Sequence, residues 1–235
     1  MPRRVRRHVY SDDARELPTY GITEAARYLG LPVATLRSWT LGRRYPTADG
    51  VRTWKPLIRL PDKRVRELSF MNLVEASALA TIRRRHKIRM PAVRKAIDYL
   101  NRSLNSPHPL AERLETDGLD LFIQKYGQLI NLSQLGQLGI RECLQAHLQR
   151  VEHDPQGLAV RLFPWTRGDQ LESPKIIAID PLISFGKPTV LGTGIRTEVL
   201  ASRLRAGDTL AELKDDYGLA EEQVEEAIRY ELLAA

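Results

Sequence analysis

The stretch FGKPTVLGTGIRTEVL, from Phe185 to Leu200, sets three glycines, a lysine and several threonines ahead of an apolar helical pattern. These residue types suit a phosphate cradle. Glycine lets backbone N–H groups converge, lysine supplies charge, and a hydroxyl can hold a metal ion. The spacing does not follow. A P-loop needs Gly, four residues, then Gly-Lys-Ser/Thr, whereas Gly186-Lys187 is followed by Pro188 and position 181 is Pro. The dinucleotide fingerprint G-x-G-x-x-G is met by Gly192 and Gly194 but has Thr197 in third place. The stretch therefore reads as a structural lead-in. Pro188 stiffens it, Gly192 and Gly194 allow a tight turn, Phe185 is expected in the core and Thr197 is expected to cap the helix over 198–205. Lys187 and Arg196 remain as exposed cations that can anchor an acidic patch on a partner or on a second copy.

Other residues able to do chemistry are scattered. Cys143 and His147 stand four apart on one helical face, but Cys143 is the sole cysteine and no further ligand set lies nearby in sequence, so core packing is expected. The five histidines, at positions 8, 86, 108, 147 and 153, form no Ser/His/Asp or Cys/His arrangement. The acids at 215–216 and 221–226 fall on helical faces and read as solvated. No enzyme activity, cofactor or metal is expected.

Charge divides the chain. Residues 1–104 hold 23 Lys and Arg against 9 Asp and Glu; residues 105–235 hold 13 against 20. A half at +14 is suited to a polyanion, and an acidic half to a protein partner. No apolar run approaches the ~18 residues of a membrane span. The basic start MPRRVRRHVY has no apolar segment behind it, so a secretory signal is not expected. The single cysteine fits a cytoplasmic protein.

In YGITEAARYLGLPVATLRSW, Thr23 is expected to cap a helix from Glu24. Gly30 ends it in the left-handed conformation, and a second helix runs from about Pro32 to Thr40. Ala26 permits close approach of the two helices, and Leu29, Leu31, Leu36 and Trp39 fill their seam. Ala34, Thr35, Arg37 and Ser38 then stay exposed, short or hydrogen-bonding groups of the kind a major-groove helix presents. Arg37 suits either guanine or phosphate. Arg43, Arg44, Arg52 and Lys55 surround PTADGVRTW, where Asp49-Gly50 makes a wing tip and Trp54 packs the wing. Ser69 is expected to cap a helix over 70–85, and Pro91 to open another to about Leu104. Arg83, Arg84, Arg85, Lys87 and Arg89 fit phosphate contacts and a solvated edge equally well.

The text T-E-A-A-R-x-L-G-L…T-L-R-x-W resembles the N-terminal module of MerR-type regulators over residues 20–104. That resemblance implies a winged helix-turn-helix that binds DNA through Thr23, Ala34, Thr35, Arg37, Ser38, Arg43, Arg44, Arg52 and Lys55. The long coiled coil with an effector pocket that usually follows in MerR-type activators has no counterpart here, so DNA binding is implied and effector sensing is not.

Residues 105–117 read as a linker. LDLFIQKYGQLINL is expected to form a hairpin about Tyr126-Gly127, LGIRECLQAHLQRV a helix, and VEHDPQGLAVRLFPW a second hairpin with Leu158, Val160 and Leu162 alternating. Beyond Thr197 the pattern is helical: a helix to 205, one over 209–217 capped by Asp208 and ended by Gly218, and one over 219–233. This second helix-turn-helix exposes Glu221, Glu222, Glu225 and Glu226. Residues 197–235 hold 4 basic against 10 acidic side chains, so repulsion disfavours DNA and a protein contact is expected.

KIIAIDPLISFGKPTVLGTGIRTEVL…AGDTLAELKDDYGLAEEQVEEAIRYE resembles, over about 174–231, a short domain of formerly unknown function found in bacterial and archaeal antitoxins. Joined to the MerR-like module it resembles the longer VapB-type antitoxins, encoded beside PIN-fold ribonuclease toxins. The resemblance implies an antitoxin that silences such a toxin and represses its own operon by binding operator DNA as a homodimer. A stand-alone dimeric transcriptional regulator is the alternative. Partner or dimer contacts are expected at Phe185, Lys187, Arg196, Glu221, Glu222, Glu225, Ile228 and Tyr230. The expected fold is α+β, mainly helical. A basic arm (1–19) precedes the winged helix-turn-helix (20–104), a connector (105–173) and a trihelical helix-turn-helix unit (174–235).

Overall fold

In the computed structural model, residues 13–47, 50–85, 90–104, 107–111, 120, 122–125, 128, 134–167 and 173–233 are described. The fold is α+β, with helices carrying the core and strands occurring as short antiparallel pairs.

Strand β1 (Tyr20–Gly21) leads into α1 (Ile22–Tyr28) and, after a tight turn, α2 (Val33–Leu41). Gly30 is left-handed (φ 57°). The Gly30 N–H bonds Arg27 O at 3.0 Å and the Leu31 N–H bonds Ala26 O at 2.8 Å, the paired bonds of a Schellman cap. The cap at the other end differs from expectation. Helix α1 begins at Ile22 with Gly21 in the N-cap place, and Thr23 is an exposed first-turn residue rather than the cap. Strands β2 (Arg43–Thr47) and β3 (Gly50–Trp54) pair antiparallel as the wing, with Arg43 opposite Trp54 and Thr47 opposite Gly50. Trp54 meets Tyr45 edge-on at 5.4 Å between ring centroids, as a wing-packing residue should. The expected wing-tip residue Asp49 lies outside the described residues.

Strand β4 (Glu67–Leu68) pairs with β1 and leads into α3 (Phe70–Arg85). Every residue from Phe70 to Ile82 is buried, so α3 is the central helix. Ser69 caps it as expected: its hydroxyl accepts from the Asn72 N–H (3.2 Å), and the Asn72 side chain accepts from the Ser69 N–H (3.3 Å). Helix α4 (Met90–Leu104) carries Pro91 in its first turn.

The connector departs from expectation at its first element. Asp120, 122–125 and Gln128 are helical, so the described part of the expected hairpin is helix. Phe122 and Ile123 are neighbours and both are buried, which a strand's alternating faces do not favour. Helix α5 (Gln134–Leu148) packs on α3 and buries Cys143, Leu144 and His147. The second hairpin forms: β5 (Val151–His153) pairs with β6 (Ala159–Leu162). A register shift at Glu152/His153 turns Ala159 and Leu162 inward and leaves Leu158 and Val160 half-buried.

Leu162 also pairs with Ile179, beside β7 (Ile177–Ala178), which pairs with β8 (Thr189–Val190). Buried Arg150 organises this crossing. Its guanidinium donates to the carbonyls of Phe163 (3.0 Å), Ser173 (2.5 Å), Pro164 (2.8 Å) and Pro174 (3.2 Å). Helices α6 (Thr197–Ala206), α7 (Leu210–Tyr217) and α8 (Glu221–Leu233) close a second apolar cluster around Leu200, Leu213, Val224 and Ala227. Gly207 and Gly218 are left-handed helix ends. Two caps differ from expectation. Thr209, not Asp208, forms a capping box with Glu212. Thr197 is the first residue of α6, and its buried hydroxyl donates to Glu231 (2.5 Å).

Candidate nucleic-acid and partner interfaces

The α1–α2 crossing buries Ala25, Ala26, Leu36 and Trp39. Leu36 and Trp39 share one face of α2, so the opposite face must meet solvent. Ala34 and Arg37 are exposed there, with Thr35 and Ser38 half-buried beside them. Thr35 is held by Arg83, near the end of α3, which donates to its hydroxyl at 2.9 Å. Arg83, itself exposed, thereby braces the recognition helix. On the wing, Arg43, Arg44 and Lys55 are exposed, and Arg52 lies in β3 opposite Tyr45. Thr23 is exposed on α1. Arg94 of α4 donates to the Pro56 carbonyl at 2.6 Å and ties the wing's base to the core. Among the exposed cations, Arg37, Arg43 and Arg44 have the reach and fixed charge that phosphate oxygens need.

The acidic unit presents a second face. Glu221, Glu222 and Glu225 are exposed on α8, whose other face is buried. Glu226, expected among them, is instead fully buried. Thr166 donates to it, Arg229 pairs with it, and Arg167 lies 3.2 Å away. Burial pushes its carboxyl up, but the bonds from Thr166 and Arg167 outweigh burial and hold it below the usual glutamate range. Ile228 and Tyr230, expected at a partner contact, lie in the core. The Tyr230 hydroxyl donates to the Tyr28 carbonyl at 3.0 Å, which joins α8 to α1 of the helix-turn-helix.

The 181–196 loop overturns one expectation and sharpens another. Phe185 is 89% exposed, not in the core, and Leu182 beside it is 82% exposed. Ser184 and Phe185 both sit at positive φ (48° and 56°), a conformation costly for side chains of this kind. The surroundings hold them there. Ser184 donates to the Gly194 carbonyl (2.8 Å), and Gly186 (φ 72°) lies so close to the Tyr20 hydroxyl that a Cβ would collide with it. Lys187 is not a free cation: it pairs with Glu24 of α1. Burial opposes ionisation of Glu24, and Lys187 with Tyr28 overcomes it, so that carboxyl is held low. Arg196 is exposed.

Cys143 and His147 pack in the core as expected. Burial first, then the charges of His153 and Arg150, push His147 down to about 3, so its imidazole is neutral. Among the described residues no helix is long and apolar enough to cross a membrane.

Residues 18–97 match a family model described as "Putative DNA-binding HTH domain". Residues 177–230 match one described as a protein of unknown function, DUF433. The architecture is thus that of a helix-turn-helix protein carrying a DUF433 unit at its acidic end. A Mycobacterium tuberculosis protein named "Putative antitoxin VapB45" is 30% identical over 231 residues, spanning 91% of this chain and 93% of the relative. The same organism's uncharacterized protein Rv2308 is 28% identical over 90% of this chain and 89% of its own length. The crystal structure of Rv2018, also from M. tuberculosis, superposes with a TM-score of 0.65 at 25% identity, covering 91% of this chain and 98% of that one. The chain belongs to the VapB-type antitoxin family, in the form that carries a helix-turn-helix.

Proposed function

We propose that the chain neutralises a PIN-type ribonuclease toxin through its acidic unit and represses its own operon through the winged helix-turn-helix. One observation carries the reading: a single folded chain presents Thr35, Arg37 and the wing cations on one module and Glu221, Glu222 and Glu225 on another. A ribonuclease that holds RNA offers a cationic surface, and three exposed carboxylates along one helix complement it. The basic module suits the opposite partner, duplex DNA, where each neutralised phosphate releases counterions. The function is binding rather than catalysis, in the cytoplasm.

A two-fold dimer would present two recognition helices to a palindromic operator. The acidic face of α8 is poorly suited to that self-contact, because a two-fold axis would set its carboxylates against their copies. The loop tip at Leu182 and Phe185 carries no charge and is the better-matched surface, with Arg196 beside it.

Growth rescue tests the antitoxin role. Co-expression with the neighbouring toxin-like reading frame is expected to restore growth with the wild-type chain and to fail with Glu221→Lys/Glu222→Lys/Glu225→Lys. Loss of rescue with the wild-type chain, together with intact operator binding, would favour a stand-alone dimeric regulator.

A further inference from the structure

The end of the recognition helix, Thr40 and Leu41, and the chain that follows the wing, from Pro56 to Arg66, line a cavity of about 610 Å³ that includes none of the residues assigned to DNA. Its floor is apolar: Leu41, Pro56, Ile58 and Leu60. Its rim carries Arg59, Lys63 and Arg66, all exposed, and none of the three is in an ion pair with a described residue. The rim is rigidly built. Buried Asp62 accepts the Arg64 N–H on its side chain (2.7 Å) and the Arg66 N–H on its carbonyl (3.2 Å). This turn holds Arg66 at φ 59°, where long side chains seldom sit. Three cations and four apolar residues share this lining, and no carboxylate is among its residues.

That arrangement matches an amphipathic anion, whose rings or alkyl groups cover the floor while its acid group meets the rim. The volume lies in the range of small-molecule pockets, roughly 300–1,000 Å³. We propose that this cavity binds a small amphipathic anion, an aromatic or short-chain organic acid, and that occupancy sets the angle between recognition helix and wing. DNA phosphate is the rival claimant for the three cations. It has no use for an apolar floor, and the cavity touches Thr40 and Leu41, at the far end of α2 from Ala34 and Thr35.

The cavity abuts the joint between α2 and the wing. The N–H groups of Leu57 (2.6 Å) and Ile58 (3.0 Å) both bond the Trp39 carbonyl, which clamps the chain leaving the wing onto the end of α2. Gly42 (φ 78°) makes the sharp exit from α2 into the wing, pressed against the Trp54 carbonyl. A ligand between Leu41 and Pro56 bears on both sides of this joint.

The test is a fluorescence titration of the full chain with 8-anilinonaphthalene-1-sulfonate, with uncharged N-phenyl-1-naphthylamine as control. Saturable binding of one sulfonate per chain is expected. It should weaken about tenfold or more in the surface variant Lys63→Glu/Arg66→Glu, and likewise in Leu41→Trp, which fills the floor. Thermal melts of both variants establish that they are folded. Absence of saturable binding, equal binding of the uncharged probe, or weakening in only one variant overturns the site. So does displacement of the probe by operator duplex, with loss of operator affinity in Lys63→Glu/Arg66→Glu, which would assign the cations to phosphate. The regulatory half rests on the DNA role proposed above: saturating probe is expected to change operator affinity in the wild type only. Probe binding without that change overturns the regulation and leaves the site standing.

Discussion

His108 lies between two carboxylates, with Nε2 3.2 Å from Glu16 and Nδ1 3.1 Å from Glu75. Burial works against its charge, and the two hydrogen bonds outweigh burial, raising it to about 10. His147 has no hydrogen-bond partner on either ring nitrogen among the described residues, and burial depresses it to about 3. The two therefore act on opposite limbs of stability against pH. His108 is raised, so its contribution is complete below pH 6.5 and is lost as pH climbs through about 10. His147 is depressed, so the unfolded chain takes up a proton near pH 6.5 that the folded chain refuses until about 3, and stability is lost as pH drops through that window. Denaturant melts across pH are expected to show His108→Gln flattening the alkaline limb and His147→Leu the acid limb. His108→Gln should also cost roughly 1.5–3 kcal/mol near neutrality, the worth of hydrogen bonds to charged groups. Position and spacing in the sequence identify His147 as a core residue. The role of His108 was not legible, because its partners are 92 and 33 positions away in the chain.

At the scale of elements, turns were more legible than caps. Gly30, Gly207 and Gly218 each mark a helix end because a left-handed residue there is nearly free only for glycine. The N-terminal ends were displaced by a residue or two: Gly21 for Thr23, Thr209 for Asp208, Arg196 for Thr197. Gly21 and Arg196 supply no side-chain cap, and a hydroxyl expected to cap can be engaged elsewhere by a tertiary contact. Thr197 is taken by Glu231, for example. The expected strand over 119–123 failed for a related reason. Apolar residues at alternate positions fit a strand, but Phe122 and Ile123 are both buried, and a short apolar run does not distinguish the two periods. The wing depends on a glycine in a demanding place. Gly42→Ala would set a Cβ against the Trp54 carbonyl at φ 78°, costing at least about 1–3 kcal/mol. The measured consequence should be lower denaturant stability together with weakened operator binding, since the wing and α2 share that joint.

Across the whole molecule, the acidic unit is fastened to the DNA-reading module at α1. Lys187 pairs with Glu24, Arg27 lies 3.7 Å from Glu231, and the Tyr230 hydroxyl reaches the Tyr28 carbonyl. The partners are 163 to 204 positions apart, so no local pattern announces the seam. The charge split predicted two roles. What the split concealed is that several acidic-half charges face inward: Glu226 and Glu231 are buried partners, not surface. Because the seam couples the modules, the wild-type chain is expected to melt in one calorimetric transition. Lys187→Glu, which opposes Glu24 with a like charge, should broaden or split it. An unchanged single transition in that variant would show that the pair does not join the two units.

The division of labour between the two faces is tested most directly by operator-duplex anisotropy on two variants of the full chain. The wild-type chain should bind the duplex upstream of its own reading frame with an affinity that falls as salt rises. Thr35→Ala/Arg37→Ala is expected to lose that binding, and Glu222→Lys/Glu225→Lys to retain it. Retention by the first variant with loss by the second would contradict the account.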